Sequence, residues 1–201
     1  MNTTSSLRGS TTTTVVGDVV RVLAGLAIPV GGALYGPVAV ALLSLVLLGT
    51  VLPRAVGLQG VVDPLVGVVL SVAAWIALLD LYARVSWLDL VMHLLATAAL
   101  TVLAYAVLVF LGCLPTPGPL LAGPDAGARA AGPTLRRPRT GAVVTATALG
   151  VLLALLWEVG EWAGARYVDP SIDVGYLDTL GDLVAGGIGA FVAGLLLVRR
   201  S

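Results

Sequence analysis

The chain has 201 residues, 58% of them hydrophobic and only 11% charged, with a formal net charge of zero, and its mean hydropathy is +1.03. Soluble domains carry roughly 25% charged residues, so this chain cannot cover a water-facing surface, and its long, repeated apolar runs predict an integral membrane protein. The charge balance leaves no basic footprint for nucleic acid, and the single cysteine, Cys113, excludes an intrachain disulfide.

In chain order, the first fourteen residues, MNTTSSLRGSTTTT, are polar and low in complexity, and disorder is expected there. Arg21 precedes an apolar stretch, as in a signal peptide. Pro29, the Gly31-Gly32 pair and the lack of an A-x-A-like site favour a retained first helix instead. Six apolar segments follow: Val15–Tyr35, Pro37–Leu52, Val61–Tyr82, Trp87–Leu111, Gly141–Ala165 and Asp178–Val198. Most reach the roughly 20 residues that span a bilayer; the second is the shortest and the weakest span. Gly36-Pro37, Pro53 and Pro115–Pro119 punctuate the joints. The connection 112–140, rich in Pro, Gly and Ala, predicts a loop without a core. It separates four helices in 15–111 from two in 141–198. Cys113, at a helix end, is expected to be an inert small hydrophobe.

Every basic residue is arginine, which reflects composition bias rather than mechanism. Their placement orients the chain. With the N-terminus in the cytoplasm, six spans put Arg8, Arg21, Arg54, Arg129, Arg136, Arg137, Arg139, Arg199 and Arg200 on or near the inner side. Only Arg84 and Arg166 fall outside, nine against two. The expected fold is therefore an all-α, polytopic transmembrane bundle of about six spans with both termini cytoplasmic. Asp18, Asp63 and Asp125 lie inside. Asp80, Asp89, Glu158, Glu161, Asp169, Asp173, Asp178 and Asp182 gather at the outer side, with Tyr35, Tyr82, Trp87, Trp157, Trp162, Tyr167 and Tyr176 near the same boundary. Aromatic side chains favour that interface.

Three pairs carry the chemistry. Asp89 and His93 are four apart in WLDLVMH, Glu158 and Glu161 three apart in WEVGEW, and Asp178 and Asp182 four apart in DTLGD. Such spacings place both members on one helix face. Ionisable groups within spans cost about 2.5–3.5 kcal/mol each at a helix centre and face the bundle interior or a wet cavity. Five carboxylates cannot be neutralised by one imidazole, so they must hold protons, bind a cation, or pair with Arg84 or Arg166. Carboxylates with one histidine also form a metal-ligand set. Oxygen ligands suit Mg²⁺, Ca²⁺ or Mn²⁺, and the imidazole admits Zn²⁺ or Fe²⁺. The full Glu-x-x-His signature of di-iron bundles is missing. Gly186, Ala190 and Gly194 form a small-residue stripe that would let the last helix pack closely, with Gly160 and Gly164 a similar stripe beside the glutamates.

Plainer readings compete. His93 could be a hydrogen-bonded interhelical histidine. Asp89 or Ser86 could cap the fourth helix, and Asp178 could sit in a first turn, favoured by the dipole. Asp169 and Asp173 fit solvated loop acids, and Asp80 an interfacial helix end. Glu158, Glu161 and Asp182 lie further inside their spans and cannot all be caps, which favours a shared site over a purely structural network.

The order WLDLVMH, LLWEVGEW, DTLGDLVAGGIGA resembles YjdF-type bacterial inner-membrane proteins and, more distantly, the VanZ-like family. The shared pattern is an aspartate and histidine opening one helix, a glutamate late in another, and an aspartate with glycines in the last. The resemblance covers about Val61–Val198; the short second span and the long Pro-rich loop depart from it. It implies Asp89, His93, Glu158, Glu161, Asp178 and Asp182 as the site.

The leading expectation is an envelope enzyme acting on a lipid or lipid-linked glycan at the outer leaflet, among membrane lipids and with no nucleic-acid partner. His93, Asp178 and Asp182 would ligate a divalent metal, Asp89 would orient His93, and Glu158 or Glu161 would be the general base. The alternatives are a proton- or cation-coupled transporter and a non-catalytic protein whose acids hold helices together. No acid cluster on the inner half and no clear inverted repeat support transport.

Overall fold

The computed structural model describes residues 11–58, 60–117, 137–170, 172 and 174–199, with Ser86 described by its backbone alone. Arg8, Asp125, Arg129, Arg136, Asp173 and Arg200, most of the polar N-terminus, the centre of the 112–140 connection and the Ser86 side chain lie outside that set. The described residues form six α-helices: α1 Thr11–Tyr35, α2 Pro37–Ala55, α3 Val62–Leu78, α4 Ser86–Phe110, α5 Pro138–Tyr167 and α6 Tyr176–Val198. No strand occurs among them.

Five of these helices are long and apolar enough to cross a membrane; α3 is not. The short element is therefore the third and not the second. α2 extends three residues past Leu52, through Pro53, to reach 19 residues, while α3 stops at 17. The reason lies in the helix end. Asp80 takes a left-handed φ of 55°. Its amide donates to the Ala77 carbonyl and the Leu81 amide to that of Ile76. These two bonds close a Schellman motif, which ends the helix before Tyr82. Asp80 is thus a helix terminator, as its place in the sequence suggested. Gly57 ends α2 and Gly112 ends α4 by the same bond pattern, with φ of 79° and 75°. Cys113 supplies an amide to the α4 motif and is exposed.

The chain divides into two compact units, 1–84 and 85–201. In the first, α1, α2 and α3 pack around Ala24, Ala27, Leu43, Val46 and Ala74. One polar clamp joins all three helices. Arg21 of α1 donates from Nε to the Thr50 carbonyl of α2 (3.0 Å) and from Nη1 to Asp18 (2.8 Å). Its Nη2 donates to Asp63 of α3, which is 4% exposed. Arg21 and Asp63 stand 42 residues apart, so no helical spacing announces the pair. Gly17 makes room for it, since a Cβ there would lie 2.7 Å from Asp63 Oδ2, and Gly67 lets α3 approach Val20 of α1, 2.8 Å from where its Cβ would stand.

In the second unit, α6 packs against both α4 and α5, which also touch each other. Small residues set the approach. Gly186 lies against Thr97 of α4 and Ala154 of α5, Gly194 against the Val143 backbone, and Ala190 against Gly150. The stripe inferred from Gly186, Ala190 and Gly194 is therefore the packing face. Gly189 is the tightest point, with the Leu94 carbonyl of α4 where its Cβ would stand. Gly160 and Gly164 pack no helix: Gly160 faces open space, and Gly164 meets Ile172 in the following loop. Gly187 is a useful contrast, since its nearest neighbour would be 3.9 Å from a Cβ. Alanine is favoured over glycine by about 1 kcal/mol in a helix. Gly187→Ala should therefore raise the thermal midpoint in detergent slightly, and a fall would contradict this packing.

Candidate functional site

α4 and α6 begin, and α5 ends, at one end of the second unit. Asp89 and His93 occupy the first two turns of α4, and Asp178 and Asp182 those of α6. Glu158 and Glu161 lie in the last three turns of α5. That 30-residue helix is about 45 Å long at ~1.5 Å per residue. It exceeds a ~30 Å hydrocarbon core, so its glutamates can reach a membrane boundary. Trp87, Trp157, Trp162, Tyr167 and Tyr176 are exposed at this end, as expected of an interfacial belt.

His93 is the centre. Its Nδ1 lies 3.1 Å from Asp182 Oδ1 and 3.2 Å from Asp89 Oδ1. Nδ1 also hydrogen-bonds the Asp89 backbone carbonyl oxygen at 3.2 Å. The opposite ring nitrogen, Nε2, lies 3.5 Å from Glu158 Oε1. Two sets of potential ligand atoms result among the described residues: Asp89, His93 and Asp182, and His93, Glu158 and Glu161. Within each set the atoms lie within 4.8 Å of one another.

The buried carboxylates are incompletely satisfied. Glu158 is 7% exposed and Asp182 2%, and neither Glu158 Oε1 nor Asp182 Oδ1 has a hydrogen-bond partner. Both are within ion-pairing distance of the imidazole but not aligned as acceptors from it. An unsatisfied buried acceptor costs about 1–3 kcal/mol, and more if charged. The arginines do not relieve this. Arg166 is exposed with its guanidinium 5.8 Å from the centre of the Tyr167 ring. Among the described residues no arginine forms an ion pair with Asp89, Glu158, Glu161 or Asp182. A single imidazolium cannot balance four carboxylates, so a proton or cation must supply the remaining positive charge.

The structure thus brings together Asp89, His93, Glu158, Glu161 and Asp182. Asp178 is exposed and belongs to neither ligand set. The N-cap of α4 is Val85, and the Asp89 carboxylate turns to His93. Sequence reasoning did not identify the Asp89 carbonyl as a partner of the ring, although an i, i+4 pair on a helix is its signal. Nor did it find the shallow apolar groove between α4 and α6, lined by Leu90, Leu94, Leu180, Gly181 and Val184 among others.

The fold and site define a multi-pass α-helical membrane protein with a buried carboxylate–imidazole cluster at one end of a three-helix unit. Residues 15–201 match DUF2238, a family of predicted membrane proteins, and the chain belongs to that family. No curated protein and no solved structure matches it.

Proposed function

We propose that the protein is a metal-dependent enzyme of the cell envelope that acts on a lipid or lipid-linked glycan at the outer membrane boundary. The observation that carries this reading is the pair of buried, unpartnered carboxylate oxygens on either side of His93. Such groups are costly unless a cation or proton meets them. A divalent ion would polarise a phosphoryl or acyl oxygen and lower the pKa of a bound water, and a carboxylate outside its coordination sphere would take the proton.

The topology that goes with this proposal has six spans and both termini in the cytoplasm, from the arginine asymmetry. α3 would cross a thinned region or be accommodated by its neighbours. The cluster then faces outward. Kinship with YjdF-type proteins, and more remotely with the VanZ-like family, is part of the same proposal, supported by the order of the Asp-His, Glu and Asp-Gly motifs.

The apolar groove between α4 and α6 supports a lipid substrate. Its lining residues Leu90, Leu94 and Gly181 lie on the same turns as Asp89, His93 and Asp182 but on the neighbouring helix faces. A hydrocarbon chain lying there would run along the two helices that carry His93 and Asp182. The test is turnover of envelope lipids by the full chain in lipid vesicles supplied with Zn²⁺ or Mn²⁺. Head-group release or transfer should depend on the metal and fall at least 100-fold in Glu161→Gln. Val184→Trp, which fills the groove, should lower turnover about tenfold with metal content unchanged. Metal-independent ion flux that needs Glu158 and Glu161 would replace this reading with coupled transport. Variants that lose only their fold would replace it with a structural network.

A further inference from the structure

Resting on the metal reading above, we infer that the cation sits on the Nε2 side of His93, held by His93, Glu158 and Glu161, while Asp89 and Asp182 position the ring from the Nδ1 side. This exchanges the roles expected from sequence, in which Asp178 and Asp182 were ligands and the glutamates bases.

Three oxygens surround Nδ1: the Asp89 carbonyl at 3.2 Å, Asp89 Oδ1 at 3.2 Å and Asp182 Oδ1 at 3.1 Å. A backbone carbonyl can only accept a hydrogen bond, and an ionised carboxylate likewise. Nδ1 must therefore carry the proton. In the neutral ring that leaves the lone pair on Nε2, and the hydrogen bond at one nitrogen decides which nitrogen binds a metal. Metal-bound histidines commonly donate their other N–H to a carbonyl or carboxylate, which fixes the ring and raises its basicity. The Asp89 carbonyl provides that arrangement, with the Asp89 and Asp182 carboxylates beside the same nitrogen.

Nε2 faces the glutamates. Glu158 Oε1 is buried, has no hydrogen-bond partner and stands 3.5 Å from Nε2. Two ligand atoms on a tetrahedral ion with ~2.1 Å bonds lie about 3.4 Å apart. The gap is therefore long for a hydrogen bond and right for an intervening ion. Glu161 completes the set within 4.8 Å and closes on the ion by a small side-chain adjustment. One nitrogen and two carboxylates select a first-row divalent ion such as Zn²⁺, Mn²⁺ or Fe²⁺. Three protein ligands leave a position for water, the pattern of catalytic rather than structural sites. A cation on the Nδ1 side would have to remove the proton shared with the Asp89 carbonyl.

The chain has one histidine, so selective ¹⁵N-histidine labelling of the full protein in detergent reports this ring alone. The metal-free protein should show the Nδ1–H form. Added Zn²⁺ should shift Nε2 and leave the Nδ1 proton in place. Zn²⁺ binding through Nδ1 would overturn the assignment and leave the metal reading standing; failure to bind Zn²⁺ would overturn both. The variants give a second measure. Glu158→Gln and Glu161→Gln should each weaken Zn²⁺ binding more than 100-fold. Asp89→Asn and Asp182→Asn should weaken it about 10–100-fold and retain the stoichiometry, as for groups that act through a ligand. The reverse ranking would overturn the assignment.

Discussion

Gly189→Val should unfold the second unit or separate α4 from α6, with loss of the site. A side chain at this position meets the Leu94 carbonyl and α-carbon of α4, not the far end of a flexible side chain. Overpacking a core typically costs about 1–3 kcal/mol when side chains can shift. Here backbone must move, so the cost should reach or exceed the top of that range. Leu94 directly follows His93, so pushing α4 away carries the imidazole from Asp182 on α6. Thermal unfolding and Zn²⁺ binding in detergent should both report the change. A Gly189→Val protein with wild-type midpoint and wild-type binding would show that the α4–α6 contact is looser than described.

Asp63→Ala should destabilise the first unit by about 3–5 kcal/mol, the usual consequence of leaving one partner of a buried ion pair uncompensated. Asp63 is 4% exposed and the Arg21 side chain 14%. The guanidinium would keep the Thr50 carbonyl and the exposed Asp18 as partners, which places Asp63→Ala within rather than beyond that range. The informative comparison is the double replacement Arg21→Met, Asp63→Leu. Apolar residues of similar volume often restore or exceed the stability of a buried ion pair. Recovery in the double variant would assign the loss to the stranded charge; equal loss in single and double variants would assign it to packing. Neither change should alter Zn²⁺ binding by the second unit.

The helices were legible because each is a long apolar run, and Gly36, Gly57 and Gly112 mark three of their ends. Their ends were less so. α3 stops at Leu78 because Asp80 accepts a left-handed backbone, a role in which aspartate is less expected than glycine. α1 starts at Thr11, inside the polar tail, since threonine has no strong composition signal against a helical first turn. At the site, spacings of three and four correctly placed Asp89 with His93 and Glu158 with Glu161. They also suggested that Asp178 joins Asp182. In the structure Asp178 is exposed in the first turn of α6, and Asp89 meets Asp182 through the ring. That outcome depends on how α4 and α6 are rotated about their axes, which the Gly189–Leu94 contact sets and no single-helix period can show. The Arg21–Asp63 clamp was hidden for the same reason, because it joins different helices.

The central claim is that His93 and its carboxylates hold a divalent cation. Its most direct test is the metal content of the full chain, purified in detergent, offered Zn²⁺, Mn²⁺ and Fe²⁺, and freed of unbound ions. The wild type should hold about one ion tightly per chain. A His93→Ala variant that keeps its helical content and elution profile should hold almost none. A well-folded wild-type protein that stays free of metal after all three are offered would contradict the claim.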